Sequence, residues 1–488
     1  MRLSDILKGI EYKYEGPFAD MEVTRIICDS RQVCKGDMFV AFRGYADDGY
    51  KFIKDAIAKG AKIVLSEKDF DAPAGMIKIL VGDTRTALPV LADNFYGHPS
   101  GKLNMIGVTG TNGKTTITYI IESILKKMGQ EPGVIGTISY RINGKSIPAR
   151  NTTPGPLELQ SMFSEILNTS RYAVMEVSSH ALDQHRVDSV AFDAAIFTNI
   201  TPEHLDYHKT LNDYFAAKTK IFGKLKEDGT AILNGDDARV VVLKNDIKNK
   251  KIVIYGLKDG ADITAKNVKL SMDRSSFDVI MPGKKFSVDT HLVGRHNVSN
   301  ILAAVSACDA VGVSVETMKA GIEALSLVPG RLEPVICDRP FKVFVDFAHT
   351  EDALRKVLGL VKEVAVSEII TVFGCGGDRD RSKRPLMGKV ACELSGHVII
   401  TSDNPRSEDP SKIIDEIVRG VKEKFSNYEI EPDRFKAIDK ALRMAKAGNI
   451  VMIAGKGHEN YQIIKDKILP FDDREVVRGI LTGVKVKV

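Results

Sequence analysis

Short apolar runs that end in polar clusters recur along this chain, and between them lie stretches whose apolar positions repeat at helical spacing. Leu103 to Val108 is one such run. It leads through Thr109-Gly110-Thr111-Asn112-Gly113-Lys114-Thr115-Thr116 to Ile117, Ile120, Ile121, Ile124, Leu125 and Met128, which share one helical face until Gly129. The pattern predicts a strand, a glycine loop and a helix. Further on, Tyr172 to Val177 leads to Ser178-Ser179-His180, Ala194 to Phe197 leads to Thr198-Asn199, and Thr230 to Leu233 leads to Asn234-Gly235-Asp236-Asp237. Strands alternating with helical patterns predict a largely parallel sheet flanked by helices, with ligands at the carboxyl ends of its strands. An alanine-rich helix is expected over Ile301 to Val311. The segment before it, residues 294–300, either caps that helix or turns its amides toward a ligand such as adenine; on capping preference alone it is a cap.

Two breaker clusters divide the chain. Gly97-His98-Pro99-Ser100-Gly101 precedes the phosphate-loop strand, and Leu327-Val328-Pro329-Gly330-Arg331 follows the alanine-rich helix. Three units are therefore expected, over residues 1–100, 101–328 and 329–488. The first carries a small α/β pattern: strand Met38 to Phe42, helix Tyr50 to Lys59, strand Ile63 to Leu65. In the third, four runs (Val343 to Val345, Ile369 to Phe373, Val398 to Ile400, Ile450 to Ile453) each end in a polar turn. That repetition predicts a doubly wound, Rossmann-like sheet with all four turns on its ligand edge. The fold class is α/β throughout, with a P-loop ATPase-like sheet in the middle unit.

Composition adjusts this picture only slightly. The 488 residues are 43% hydrophobic and 27% charged, which gives each unit enough apolar residues for a core of its own. The net charge of +5 comes from 69 basic against 64 acidic residues without a Lys/Arg block, so a nucleic-acid partner is not expected, while anionic small molecules suit the bias. Cys28, Cys34, Cys308, Cys337, Cys375 and Cys392 are scattered, without metal-finger or C-x-x-C spacing, and read as reduced thiols. No stretch reaches membrane-spanning length and the first residues lack a signal-peptide core, so a cytoplasmic protein without membrane insertion is expected.

The chemistry concentrates at the polar turns. Glycines let consecutive N–H groups converge on an anion at the positive end of a helix. Lys114 would reach the β- and γ-phosphates of a nucleotide, and Thr115 would place its hydroxyl on Mg²⁺. Val108 stands where the strict P-loop pattern has its first glycine, leaving the shorter G-x-x-G-K-T-T. No Asn-Lys-x-Asp guanine signature is present, but a regulatory NTPase is a competing reading. Glu176 suits magnesium as a hard oxygen ligand. His204, Asp206 and His208 taken alone are a polar helix start more readily than a metal site. Lys218 by default is a solvated helix lysine, and Asp29-Ser30-Arg31 by default a turn. Arg379 and Arg406 suit carboxylates or phosphates while Asp403 and Glu459 suit ammonium groups, so the third unit's edge would hold a zwitterion; the plainer alternative is a network of surface ion pairs.

Gly110 to Thr116, Asn151-Thr152-Thr153-Pro154, Met175 to His180, Thr198-Asn199 with His204-Leu205-Asp206, and Gly455-Lys456-Gly457-His458-Glu459 occur together and in this order. The set resembles the Mur ligases, and within them the branch that adds the third peptide residue of the bacterial peptidoglycan precursor. The resemblance covers all three units. It implies ATP-dependent amide formation: the γ-phosphate activates the D-glutamate carboxylate of UDP-MurNAc-L-Ala-D-Glu as an acyl phosphate, and an incoming amine attacks it. By matching position, Gly110, Thr111, Asn112, Gly113, Lys114, Thr115 and Thr116 serve ATP, with Asn297, Arg331, Asp346 and His349 around its adenine, ribose and phosphates. Thr115, Glu176, His204 and Lys218 are the implied Mg²⁺ ligands, Lys218 as a CO₂-derived carbamate. Lys114, Lys218, His204 and Glu176 form the implied catalytic set.

Ser30, Asn151, Thr152, Thr153, Ser178, Gln184 and Arg186 resemble the site for the UDP-sugar peptide. Asp403-Asn404-Pro405-Arg406, with Arg379, Gly455 and Glu459, matches the form associated with meso-2,6-diaminopimelate, whose distal carboxylate L-lysine lacks. Glu203 departs from the aspartate common before His-Leu-Asp. A monomer acting on small molecules is expected. The alternatives are a lysine-adding ligase, a folylpolyglutamate synthetase-like enzyme and, from another class, a nucleotide-switched binding protein.

Overall fold

The computed structural model describes residues 1–15, 20–44, 48–365 and 367–483. Its strands gather into three main sheets, each covered by its own helices. The first sheet runs in the order Tyr12–Glu15, Ile77–Val81, Ile63–Ser66, Met38–Val40, Ile26–Ile27, and only the Tyr12–Glu15 edge is antiparallel. The strand expected to reach Phe42 stops at Val40, and the expected single helix starts as the 3₁₀ turn Gly49–Phe52 before becoming the α-helix Ile53–Ala58. The cause is a close approach: Gly49 N–H donates to Phe42 O at 3.0 Å, and a Cβ on Gly49 would lie 2.7 Å from that oxygen.

The second sheet has eleven strands. Seven run parallel, in the order Ile263–Leu270, Lys251–Gly256, Leu225–Asn234, Phe192–Phe197, Asn104–Thr109, Tyr172–Glu176 and Gly133–Ile135. The strand Asn104–Thr109 is central, so the glycine loop leaves the sheet between the ends of Tyr172–Glu176 and Phe192–Phe197. Val108 pairs with Glu176 on one side and Ile196 on the other and is fully buried. The loop is short because this residue is still strand. The helix that follows, Lys114–Lys127, buries Ile117, Ile120, Ile121, Ile124 and Leu125 in one core with the helix Arg295–Ala310.

Two features of this sheet differ from expectation. The alanine-rich helix begins at Arg295 rather than Ile301: Gly294 is its N-cap without a side-chain cap, and Asn297 Nδ2 donates back to Val293 O at 2.8 Å. The segment 294–300 is thus the opening of the helix itself, with Asn297 and Asn300 turned inward. Antiparallel strands also extend both edges, Ser275–Met281 and Lys284–Thr290 on one, Ser139–Ile142 and Lys145–Pro148 on the other. Phe277, Val279 and Met281 alternate into the core, the period-two signal of a strand with one face covered.

The third sheet runs Glu333–Pro334, Lys342–Asp346, Ile450–Ala454, Ile369–Phe373, His397–Ile400, Tyr428–Ile430, parallel except at Glu333–Pro334. The helices Glu351–Val364, Lys383–Leu394 and Pro410–Val418 cover one face; Arg434–Met444 and Asp473–Thr482 cover the other. This is the doubly wound arrangement, and the four polar turns leave the same edge. A hairpin, Tyr461–Ile464 with Lys467–Pro470, follows the last of them. Among the described residues all six cysteines are free thiols, and no helix is long and apolar enough to cross a membrane.

Candidate functional site

One cavity of about 830 Å³ is lined from the second sheet by Thr111–Thr116, Glu176, His204 and Lys218, and from the third by Asp346, His349, Arg379, Asp403, Arg406 and Glu459. At its phosphate end, Gly110 has φ +138° and Gly113 φ +93°, and a Cβ on Gly110 would fall 1.9 Å from Thr198 Oγ1. Only glycine fits there. The loop between them is pinned: Thr198 Oγ1 donates to Asn112 O at 2.6 Å, Asn112 N–H to Asn199 Oδ1 at 2.9 Å, and Thr111 N–H to Asn199 O at 2.9 Å. Lys114 Nζ folds over it to Gly110 O and Thr111 O, 2.9 Å each.

Lys218 overturns its default reading as a solvated lysine. It lies on the helix Leu211–Thr219 and is 1% exposed, with Nζ donating to Gly110 O at 3.0 Å and standing 4.5 Å over the Tyr214 ring. No carboxylate lies within 4 Å of it among the described residues. Burial, then the nearby Lys114 charge, pull its pKa well below the usual lysine range.

Glu176 is equally buried, and Thr137 fixes both its oxygens, with N–H at 2.9 Å and Oγ1 at 2.8 Å. His204 has a left-handed backbone (φ +55°) just before the helix Leu205–His208, and its ring stands 4.8 Å from that of His180. Burial pulls His204 down in pKa, only partly opposed by Glu203. Glu203 itself contacts His349 Nε2 at 3.4 Å, His204 Nε2 at 3.8 Å and Tyr214 Oη at 3.4 Å. Burial pushes its carboxyl up, but His349, His204 and Lys114 together hold it well below the usual carboxylate range. Among the described residues no three His, Cys, Asp or Glu side chains converge as a ready metal cage. Thr115 and Glu176 nonetheless offer hard oxygens to the cavity, a donor set that fits Mg²⁺ sharing its coordination with phosphates and water.

Arg331 reaches Thr115 Oγ1 with Nη2 at 3.2 Å and lies 4.8 Å over the Phe347 ring. Asp346 accepts from Leu332 N–H at 2.6 Å and Ala348 N–H at 2.8 Å, which locks the first polar turn of the third sheet. At the far end of the cavity, Asn404 Nδ2 donates to Glu459 Oε2 at 2.7 Å and its Oδ1 accepts from Ile463 N–H at 2.9 Å. Fully buried Lys456 stands 3.4 Å from Glu459 Oε2 and bonds Tyr461 O. Gly455 has φ +116°, and a Cβ there would meet Asp403 Oδ2 at 2.6 Å. Burial pushes Asp403 up, but Lys456 and Arg434 outweigh it and lower its pKa; Glu459 is raised by burial and by Asp403.

Arg406 and Arg379 are bonded only weakly into the protein. Arg406, in the left-handed region at φ +51°, donates from Nη1 to Gly377 O at 2.8 Å, and Arg379 from Nη1 to Asp378 O at 2.9 Å. Neither has a carboxylate within 4 Å among the described residues, so they are not part of a surface ion-pair network. Arg406 is partly buried and Arg379 exposed, both line the cavity, and two guanidinium groups without a carboxylate there suit an anion.

The residues expected around a sugar peptide are only partly gathered. Thr152 and Ser178 line the cavity. Thr153 is buried beneath, donating to Glu176 O at 2.8 Å and accepting from Ser178 N–H at 3.0 Å. Arg186 donates to Thr153 O at 3.0 Å and to Gln184, and Asn151 is held through its backbone by Tyr140 Oη. Ser30 lies apart in the first unit, in the 3₁₀ turn Ser30–Gln32 capped by Asp29. Asn151, Thr153, Gln184, Arg186 and Ser30 are not among the cavity-lining residues, and neither are Gly110 and Pro405.

Residues 22–96 match the Mur ligase family catalytic domain, 108–308 the Mur ligase middle domain and 330–457 the Mur ligase glutamate ligase domain. The chain is 43% identical, over 99% of its own length and of its relative's, to the UDP-N-acetylmuramoyl-L-alanyl-D-glutamate–2,6-diaminopimelate ligase of Clostridium tetani. It belongs to the Mur ligase family. The Bacillus cereus protein of the same name is 44% identical over 96% of both chains. A solved structure of such a diaminopimelate ligase, 33% identical, aligns with a TM-score of 0.69 over 96% of this chain and 97% of its own. In this Mur ligase, sequence reasoning missed Thr137, Tyr214 and Lys456. Thr137 acts on Glu176 from a distant loop and carries no local signal, whereas Tyr214 lies four residues before Lys218 on one helix and Lys456 three before Glu459, spacings that do not by themselves announce a contact; Glu203 was visible only as a departure from a pattern.

Proposed function

We propose that this Mur ligase joins meso-2,6-diaminopimelate to the D-glutamate carboxyl of UDP-N-acetylmuramoyl-L-alanyl-D-glutamate, converting ATP to ADP and phosphate. One observation carries the reading: a single cavity has a phosphate loop at one end and an unpaired guanidinium pair beside two carboxylates at the other. In this reading residues 1–100 hold the UDP-sugar, 101–328 the ATP and 329–488 the amino acid. Ser30, Asn151, Thr152, Thr153, Ser178, Gln184 and Arg186 serve the UDP-sugar peptide. Of these, Thr152 and Ser178 have the direct support of lining the cavity.

A carboxylate oxygen of the peptide attacks the γ-phosphorus and ADP leaves, giving an acyl phosphate. The amine of the amino acid then attacks the carbonyl carbon, loses a proton and expels phosphate. Lys114 and the loop amides hold the charge on the transferring group, and the chain's task is positioning and charge neutralisation. Mg²⁺ held by Thr115, Glu176 and His204 would neutralise phosphate oxygens. Lys218 as a carbamate would exchange a cation for an oxygen-rich anion beside them, and its burial, which lowers its pKa and so favours the amine form that attacks CO₂, supports that role. Asn297, Arg331, Asp346 and His349 complete the nucleotide site. Arg379 and Arg406 take the distal carboxylate and Asp403 and Glu459 an ammonium group, with Asn404, Pro405 and Gly455 shaping the turns. L-lysine would leave the guanidinium pair without its anion. The protein acts as a cytoplasmic monomer.

The test is phosphate release with meso-diaminopimelate, L-lysine and L-ornithine offered separately. Release that requires both the muramyl dipeptide and diaminopimelate supports the reading. Release independent of the dipeptide would point to a nucleotide-switched protein instead, and a preference for lysine would remove the pocket assignment.

A further inference from the structure

Three bonds join the phosphate-loop region to the third unit. Arg331 Nη2 meets Thr115 Oγ1 at 3.2 Å, His349 Nε2 meets Glu203 at 3.4 Å, and Asn112 Nδ2 donates to Asp352 Oδ2 at 2.8 Å. The first two use groups assigned above to nucleotide and metal, or their immediate neighbours, and must rearrange when those ligands bind. The third need not. The peptide N–H and C=O of Asn112 are already held by Asn199 Oδ1 and Thr198 Oγ1, which leaves its side-chain amide to reach across the cleft. Its acceptor, Asp352, lies in the first turn of the helix Glu351–Val364, 26% exposed, and also takes Lys356 Nζ at 2.7 Å. Both Asn112 and Asp352 line the main cavity.

We propose that Asp352 is a positioning residue: through Asn112 it ties the phosphate loop to the unit that carries Arg379 and Arg406, keeping the amino-acid pocket over the loop while the acyl phosphate awaits its amine. The proposal rests on the ligase reading above. Its chemical consequence is protection. With the tie broken, water reaches the acyl phosphate and cleaves it, returning the peptide carboxylate and free phosphate without an amide. ATP is then consumed without product.

The competing role for Asp352 is purely structural, since a carboxylate in a first turn favours the helix dipole and pairs with a lysine four residues on. The two roles separate in a coupling ratio, phosphate released per amide formed, measured alongside kcat, the KM for ATP and the melting temperature. Asp352→Asn keeps an oxygen acceptor for the Asn112 amide but loses the charge; Asp352→Ala loses both. Lys356→Ala removes the helix pair and leaves the tie. For Asp352→Ala the expected result is a coupling ratio rising from one to two or more and kcat falling about 10-fold, the weight of one hydrogen bond to a charged group, with the KM for ATP changed less than about twofold. Asp352→Asn and Lys356→Ala should both stay near a ratio of one. Asp352→Ser, which suits a first turn, replaces Asp352→Ala should that variant melt early. A ratio of one in Asp352→Ala, or uncoupling as severe in Asp352→Asn, would overturn the proposal. A wild-type enzyme that forms no amide with any amine would instead remove the ligase reading beneath it.

Discussion

The two ends of the cavity each bury a lysine completely, and the two lysines are treated in opposite ways. At the end lined by the third unit, Lys456 stands 3.4 Å from Glu459 and bonds Asn404 and a carbonyl, so the protein supplies its counter-charge. At the phosphate end, Lys218 bonds one carbonyl and faces Tyr214, with a like charge nearby on Lys114, the opposing Glu203 charge weaker than it, and no carboxylate within 4 Å among the described residues. The guanidinium groups reverse the pattern: Arg379 and Arg406, at the same end of the cavity as Lys456, have no carboxylate within 4 Å among the described residues. A buried charge that the protein satisfies is structural, and one it leaves unsatisfied is held for something that arrives from outside.

The largest expected effect tests the unsatisfied lysine. Lys218→Ala should lower turnover by on the order of 10³-fold while the fold and melting temperature stay close to wild type, and excess bicarbonate should not restore activity. Phosphate release and thermal melting check both halves, and full activity in that variant would erase the contrast. Lys456→Met is the counterpart. It leaves Glu459 and Asp403 without their nearest cation, and a cost of about 3 kcal/mol in urea unfolding is expected. Stability unchanged by that substitution would show the pair to be no more structural than Lys218.

Arg406→Ala should raise the KM for diaminopimelate by about 10²-fold and leave the KM for ATP nearly unchanged, since the cost of removing one partner of a desolvated charge pair is local. Steady-state kinetics with each substrate varied separates the two ends. An equal rise in both constants would mean that the cavity responds as one body.

The smallest effect lies between the ends, at His296 in the first turn of the helix Arg295–Ala310. Burial, and then the Lys356 charge, bring its pKa down to about 4 from an ordinary 6.5. The unfolded chain therefore binds a proton that the native chain refuses. Stability is full above pH 6.5 and is lost as pH falls toward 4. Urea unfolding at pH 7 and pH 5 should show wild type losing about 2 kcal/mol more than His296→Phe; equal losses would exclude His296 as the source.

Much of the site was legible because its residues follow strand ends. Once the apolar runs predicted parallel strands, the polar turns after them had to fall on shared edges, and Gly110 to Thr116, Glu176, Asp346, Asp403 and Glu459 could be placed without coordinates. The helix start at Arg295 was misjudged because Arg-His-Asn-Val-Ser-Asn has little apolar content; Asn297 helps hold that first turn by reaching back to Val293 O, a contact that sequence spacing does not advertise. The edge strands 275–290 alternate apolar and polar positions instead of forming a continuous apolar run, so the run pattern that marks the buried parallel strands does not mark them.

By itself, the sequence determined the three α/β patterns, the phosphate loop and the pairing of guanidinium with carboxylate chemistry on the third unit's turns. These follow from local periodicity and residue type, which the chain carries wherever it goes. Only the tertiary structure decided that Lys218 is buried with no carboxylate within 4 Å among the described residues, that Thr137 holds Glu176 and Asn404 holds Glu459, and that Asn112 meets Asp352 240 residues away. Burial and counter-charge depend on which elements pack together, and no local pattern encodes what a distant element will bring.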